Sequence, residues 1–122
     1  MDITYIHGLE IQTIIGIFDW EREKKQTLII DLDIFSNFSQ VILSDHIDDC
    51  IDYTRVCEKI ELLAEQHSYQ LIESFAEDIS QIVLEQFNSQ SVKIKINKPM
   101  AIKNAASTGV IIERFKKKDN TK

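Results

Sequence analysis

The chain is poor in the residues that most often announce a chemistry. Its 122 residues include two cysteines, three glycines, one proline and one tryptophan. Cys50 and Cys57 are too few for a disulfide framework and match no zinc spacing, so reduced thiols in a cytoplasmic protein are the expectation. Gly8, Gly16 and Gly109 lie too far apart to form a phosphate-cradling loop, and no serine stands in a nucleophile elbow. His7, His46 and His67 show neither H-x-H nor H-E-x-x-H spacing, which argues against a His-rich metal site. Asp45, Asp48, Asp49 and Asp52 cluster, but no glycine and no distal glutamate fall in the register of a calcium loop. Capping and turn duty is the expected use of these aspartates. No apolar run approaches a membrane span, and the first residues, Met1-Asp2-Ile3-Thr4, lack the basic start of a signal peptide.

Basic charge is also short, and it is unevenly placed. The formal net charge is −6. Residues 114–122 hold five cations (Arg114, Lys116, Lys117, Lys118 and Lys122) against Asp119 alone, so the remainder has 9 basic and 19 acidic residues. An acidic body argues against binding a phosphate backbone. Residues 116–122 are expected to be a basic, flexible C-terminal tail that frays into solvent.

What is present reads as one globular domain, with 43% hydrophobic and 28% charged residues. Residues 2–17 alternate loosely: Ile3, Tyr5, Ile11, Thr13 and Ile15 fall on one side, Ile14 breaks the pattern, and a long first strand ends near Gly16. A charged connection containing Trp20 leads to a second strand, in which Leu28, Ile30, Leu32 and Ile34 alternate with Ile29, Asp31 and Asp33. The pair should form an antiparallel hairpin with a long loop. Residues 36–52 are polar. Asp52 then suits the N-cap of a helix that carries Val56, Ile60 and Leu63 inward. A second helix over 72–87 carries Ile72, Ala76, Ile79, Val83 and Phe87 at helical spacing. Val92, Ile94 and Ile96 alternate with Lys93, Lys95 and Asn97 in a third strand, which stops at Asn97-Lys98-Pro99. About a dozen residues on, Val110–Ile112 gives the fourth. The order ββααββ predicts an α+β fold, a four-stranded antiparallel sheet with two helices on one face. Its two open edges must be covered, charged or paired, and oligomerisation would pair them.

Four polar residues stand at element ends: Glu21 in the first loop, Tyr53 and Glu73 at helix starts, and Lys98 after a strand. Each has an ordinary reading. Tyr53 suits a core aromatic with a polar tip. Glu73 favours a helix N-terminus electrostatically. Glu21 is one of many loop charges, and Lys98 is one of eleven lysines. Local pattern alone favours a solvated Lys98, although the only proline stiffens its position.

Six blocks in order change that balance. Ile6-His7-Gly8-Leu9, Ile15-Gly16-Ile17-Phe18-Asp19-Trp20-Glu21, Asp52-Tyr53, Leu71-Ile72-Glu73, Asn97-Lys98-Pro99 and Gly109-Val110-Ile111-Ile112-Glu113-Arg114 resemble dihydroneopterin aldolase. The resemblance spans residues 1–114, within a domain of residues 1–115. It implies the tunnelling fold, whose ββααββ order is the one read above. It also implies subunits joined edge to edge in a ring of four, two rings stacked as a homo-octamer, and sites between neighbouring subunits. One residue departs from the pattern: many family members carry glycine after Lys-Pro, and this chain carries Met100.

The activity implied is a retro-aldol in folate biosynthesis that splits 7,8-dihydroneopterin into 6-hydroxymethyl-7,8-dihydropterin and glycolaldehyde. The substrate's own N5=C6 imine takes the electrons, so neither a cofactor, a metal nor a lysine Schiff base is implied. By resemblance Lys98 is the general acid/base and stabilises the developing enamine. Tyr53 orients the side-chain hydroxyl and helps protonate C1′. Glu73 anchors the 2-amino group and N3–H of the pterin. The backbone at Ile72 and Asp52 completes the contacts, and Glu21 shapes the site from the first loop. Two rivals use much the same residues. A 2′-epimerase of dihydroneopterin or its triphosphate would cleave and re-add, although an acidic body offers no obvious cations for a triphosphate. A non-catalytic pterin-binding ring would keep Glu73 but need not keep both Lys98 and Tyr53. No nucleic-acid or membrane partner is implied.

Overall fold

The structure, a computed structural model, describes residues 1–117. Of the expected tail, residues 116–122, the stretch 118–122 lies outside the described residues. Four strands form one antiparallel sheet in sequence order: β1 (Asp2–Thr13), β2 (Gln26–Ser36), β3 (Ser91–Pro99) and β4 (Ser107–Phe115). A short helix, α1 (Ser39–Ser44), follows β2, and two long ones, α2 (Tyr53–Gln66) and α3 (Ile72–Gln86), precede β3. The order ββααββ therefore holds, with α1 as an addition inside the polar stretch expected to be a connection. Among the described residues no helix is long and apolar enough to cross a membrane.

The core explains the layering. Leu28, Ile30, Leu32 and Ile34 of β2 and Val92, Ile94 and Ile96 of β3 are fully buried. They meet Val56 and Ile60 of α2 and Phe75, Ala76, Ile79 and Val83 of α3, so both long helices lie on one face. Truncating a side chain such as Phe75 to alanine in such a core costs about 3–5 kcal/mol. The aspartates do the local work expected. Asp52 Oδ1 accepts from the backbone N–H of Thr54 and of Arg55 and caps α2. Asp45 ends α1 in a left-handed conformation.

Three details differ from the sequence reading. First, the alternation of β1 changes phase. The register against β2 shifts between Ile6 and Leu9, and Gly8 sits there at φ +75°. This bulge is held by Asp31, whose Oδ1 accepts from the Gly8 N–H at 2.7 Å. Ile3 and Tyr5 are therefore exposed, whereas Ile11 and Thr13 point into the core. Second, β1 ends at Thr13, not near Gly16, because the Ile15 carbonyl takes its hydrogen bond from the Gln26 side chain instead of a strand partner. Third, β3 runs on through Lys98 and Pro99, which pair with Thr108 and Ser107. Proline is tolerated at that terminal ladder position. The connection to β4 is then only Met100–Ala106, and Met100 opens it at φ +57°. A left-handed start is the conformation that glycine adopts most readily. Met100 adopts it with its side chain 87% exposed.

Candidate active site

The sheet register delivers Lys98 to the end of β3, beside the loop that follows β1. Its Nζ donates to Glu21 Oε2 at 2.7 Å, and only 15% of the Lys98 side chain and 11% of the Glu21 side chain are exposed. Lys98 is thus not the solvated lysine of the ordinary reading. Glu21 is held at its other oxygen too. Oε1 accepts from the backbone N–H of Ile17 and of Phe18 at 3.3 and 3.2 Å. The hydrogen bond from Lys98 holds the Glu21 carboxyl below its usual 4.5, helped by the backbone N–H groups and opposed by burial. At neutral pH Glu21 is therefore a carboxylate.

The loop that presents Glu21 is built for it. Asp19–Arg22 form one 3-10 turn. Gln26 Nε2 donates to the carbonyls of Ile15 and Glu21, which fixes the loop against β2. Arg22 Nη1 donates to the Gly16 carbonyl at 2.8 Å and to the Tyr69 carbonyl at 3.3 Å, and Nη2 donates to the Ser68 carbonyl at 3.4 Å. Gly16 lies at φ +125° against the Glu21 side chain.

Glu21 and Lys98 open onto a cavity of about 170 Å³ lined by Ile15, Gly16, Ile17, Gln70, Leu71, Ile72 and Glu73. That volume is below the roughly 300–1,000 Å³ typical of complete small-ligand sites. Its second wall is the start of α3. No side chain caps this helix, because Leu71 occupies the N-cap. The first backbone N–H groups, at Ile72 and Glu73, are left to donate elsewhere. Glu73 stands exposed in the first turn. One cavity thus offers a cation, two carboxylates and free backbone donors on apolar walls. Such a set can grip a flat heterocycle with adjacent N–H groups and place an acid/base beside it.

Of the residues singled out in the sequence, the protomer brings together Glu21, Ile72, Glu73 and Lys98. Tyr53 and Asp52 lie elsewhere. Tyr53, exposed at the start of α2, lines a different cavity of about 220 Å³ with Thr4, Ser36, Phe38, Val41, Cys50 and Ile51. Lys98 is next to Asn97, the partner of Ile29, whereas Ser36 is seven residues further along β2. At about 3.3 Å per residue, Ile29 and Ser36 are about 23 Å apart along that strand. The Asp52 carboxylate is committed to capping α2. Arg22, Gln26 and Gly16 carry the loop but were not singled out, since their partners are main-chain carbonyls and one side chain, which leave no local pattern.

Comparison with known proteins gives a consistent answer. The family model for dihydroneopterin aldolase matches residues 4–113. The Escherichia coli K12 dihydroneopterin aldolase is 38% identical over 114 residues, 93% of each chain. The Haemophilus influenzae dihydroneopterin aldolase is 32% identical over 114 residues, covering 93% of this chain and 97% of that one. The crystal structure of the E. coli enzyme in complex with neopterin superposes with a TM-score of 0.89 at 38% identity, over 93% of this chain and 99% of that one.

Proposed function

The chain belongs to the dihydroneopterin aldolase family, and from that membership and the site geometry we propose the following division of labour for a retro-aldol cleavage of 7,8-dihydroneopterin in folate biosynthesis. The Glu73 carboxylate accepts from the pterin's 2-amino group and N3–H as a parallel pair. The backbone N–H of Ile72 adds a donor beside it. This anchorage sets the substrate's C6 side chain toward Lys98.

Lys98 then manages the protons. Lys98, as the free amine in the reactive form, takes the 2′-hydroxyl proton through water and becomes the ammonium that later returns it. The C1′–C2′ bond breaks and releases glycolaldehyde, and its electron pair enters the N5=C6 imine to give an enamine. Proton return to C1′ yields 6-hydroxymethyl-7,8-dihydropterin, so substrate and products balance with no proton gained or lost. Glu21 fixes Lys98 in place and, once Lys98 carries the proton, keeps that charge near the developing enamine. Tyr53 orients the side-chain hydroxyls and assists protonation at C1′. Since Tyr53 and Lys98 line different cavities of one chain, a neighbouring copy supplies it.

The assembly in this reading is a ring of four joined through the sheet edges, stacked in two as a homo-octamer. It is supported by the open edges of β1 and β4, where Ile3, Tyr5, Ile111 and Phe115 are all exposed. The protein acts in the cytoplasm, consistent with two free cysteines.

The observation that carries the reading is the 2.7 Å Lys98–Glu21 pair in a cavity shared with Glu73. The experiment is incubation with 7,8-dihydroneopterin and chromatographic resolution of the products. Formation of 6-hydroxymethyl-7,8-dihydropterin and glycolaldehyde supports it, and recovery of unchanged substrate contradicts it. The 2′-epimer would appear in the same chromatogram if glycolaldehyde re-adds to the other face before leaving.

A further inference from the structure

Two separate segments wall the cavity. One is the loop after β1, which carries Glu21. The other is the link between α2 and α3, which leads into Glu73. A single side chain ties them together. The Arg22 guanidinium donates to the Gly16 carbonyl on the first wall and to the Ser68 and Tyr69 carbonyls on the second, at 2.8, 3.4 and 3.3 Å.

Both anchor points are themselves fixed. The Gly16 carbonyl shares a planar peptide with the Ile17 N–H that donates to Glu21 Oε1 at 3.3 Å, so a movement of that carbonyl is a movement of the Glu21 contact. Tyr69 stacks on Phe75 of α3 with ring centroids 5.1 Å apart, and its hydroxyl donates to Asp78 Oδ2 at 2.6 Å. Burial and the neighbouring Asp78 carboxylate push the Tyr69 phenol well above its ordinary range, so this donor stays protonated. The Tyr69 carbonyl therefore moves with α3, and so with Glu73. Within the protomer, the Arg22 fork is the side-chain bridge that runs from the Glu21 wall to the Glu73 wall.

We infer that Arg22 is a positioning residue for the cleavage: by bridging the two cavity walls through backbone carbonyls, it sets the spacing between the Glu21–Lys98 pair and the Glu73 anchor. The inference rests on the aldolase reading above. Arg22 is not itself a lining residue of the cavity and reaches the lining through the Gly16 carbonyl. It acts on the distance between the group that holds the ring and the group that moves the proton. Misplacement of reacting groups by about 1 Å costs up to about 10²-fold in rate. Lysine retains the charge and the stem but has no planar fork to span three carbonyls. A purely electrostatic role would survive Arg22→Lys, and a spacing role would not.

The test uses the full-length protein and its Arg22→Lys and Arg22→Ala variants. It compares the single-turnover rate on 7,8-dihydroneopterin, the Kd for neopterin and the thermal midpoint. The expected result is a split. The rate falls about 10- to 100-fold in both variants, neopterin affinity changes only a few-fold because Glu73 is intact, and the midpoint of Arg22→Lys stays near wild type. If Arg22→Ala does not fold, Arg22→Lys carries the test. A wild-type rate in Arg22→Lys overturns the inference. So does a parallel loss of rate, affinity and midpoint, which marks a merely structural arginine. A wild type that itself fails to cleave dihydroneopterin overturns the aldolase reading and this inference with it. A cleaving wild type matched by its variants overturns this inference alone.

Discussion

Gly16 and Glu21 are in such close contact that a Cβ on residue 16 would lie 2.6 Å from the Glu21 carboxyl carbon. The glycine is also at φ +125°, a backbone conformation that L side chains rarely adopt. Gly16→Ala should therefore destabilise the fold by about 1–3 kcal/mol and push Glu21 away from Lys98. Urea unfolding checks the first effect, and cleavage of 7,8-dihydroneopterin checks the second. Loss of less than about 0.5 kcal/mol, the scale of an ordinary surface change, would mean that the loop relaxes freely around residue 16.

The Glu21–Lys98 pair predicts a pH dependence with a definite sign. The folded-state pKa of Glu21 is below its unfolded value of 4.5. Its contribution to stability is therefore fully present above 4.5 and is lost as pH falls through the lower, folded value. Wild type should be more stable than Glu21→Gln at neutral pH, and the gap should close in acid. Thermal unfolding of both proteins across this range is the measurement. A gap that stays constant with pH would separate the stability of the loop from the charge on Glu21.

Glu73 has the simplest test. Glu73→Gln keeps the size but replaces a charged acceptor of two hydrogen bonds with an amide that offers one acceptor oxygen. Pterin affinity should fall by about 2 kcal/mol, the low end for a charged pair buried at an interface, since Glu73 is exposed in the protomer. Calorimetric titration with neopterin should show it. Unchanged affinity would take Glu73 out of the pocket.

The fold was largely legible because its strands alternate cleanly where one face is buried: β2 and β3 expose and bury side chains with period two. It was less legible where one residue resets the period. The bulge at Gly8 turns Ile3 and Tyr5 outward, and no count of apolar residues registers an inserted residue. Helix α1 was missed because Val41, Ile42 and Leu43 form a single short apolar run with no period to read. For the site, Asp52 announced itself as a cap through its position before a helical pattern. Lys98, Glu21 and Glu73 were picked out by family resemblance, since each alone is an ordinary charged residue. The 77-residue separation of Lys98 from Glu21 leaves no trace in local sequence. Arg22 was equally silent, because its three acceptors are carbonyls that every residue possesses.

A site completed by a neighbouring copy predicts complementation. Tyr53→Ala and Lys98→Ala lesions fall in different cavities of the protomer. Each variant alone should cleave poorly. Unfolding the two together and refolding the mixture should restore part of the wild-type rate, because some interfaces then join an intact Lys98 to an intact Tyr53. A mixture no more active than its parents would confine the site to one chain, as would a monomeric mass by light scattering at micromolar protein.

The most direct test of the account is the Lys98→Ala variant, compared with wild type in single-turnover cleavage of 7,8-dihydroneopterin and in neopterin binding. The account predicts a rate lower by at least about 10²–10⁴-fold, the usual worth of general acid–base help, with a much smaller loss of affinity because Glu73 still holds the ring. Cleavage within a few-fold of wild type, or an equal collapse of rate and binding, would contradict the assignment of Lys98 as the acid/base of the reaction.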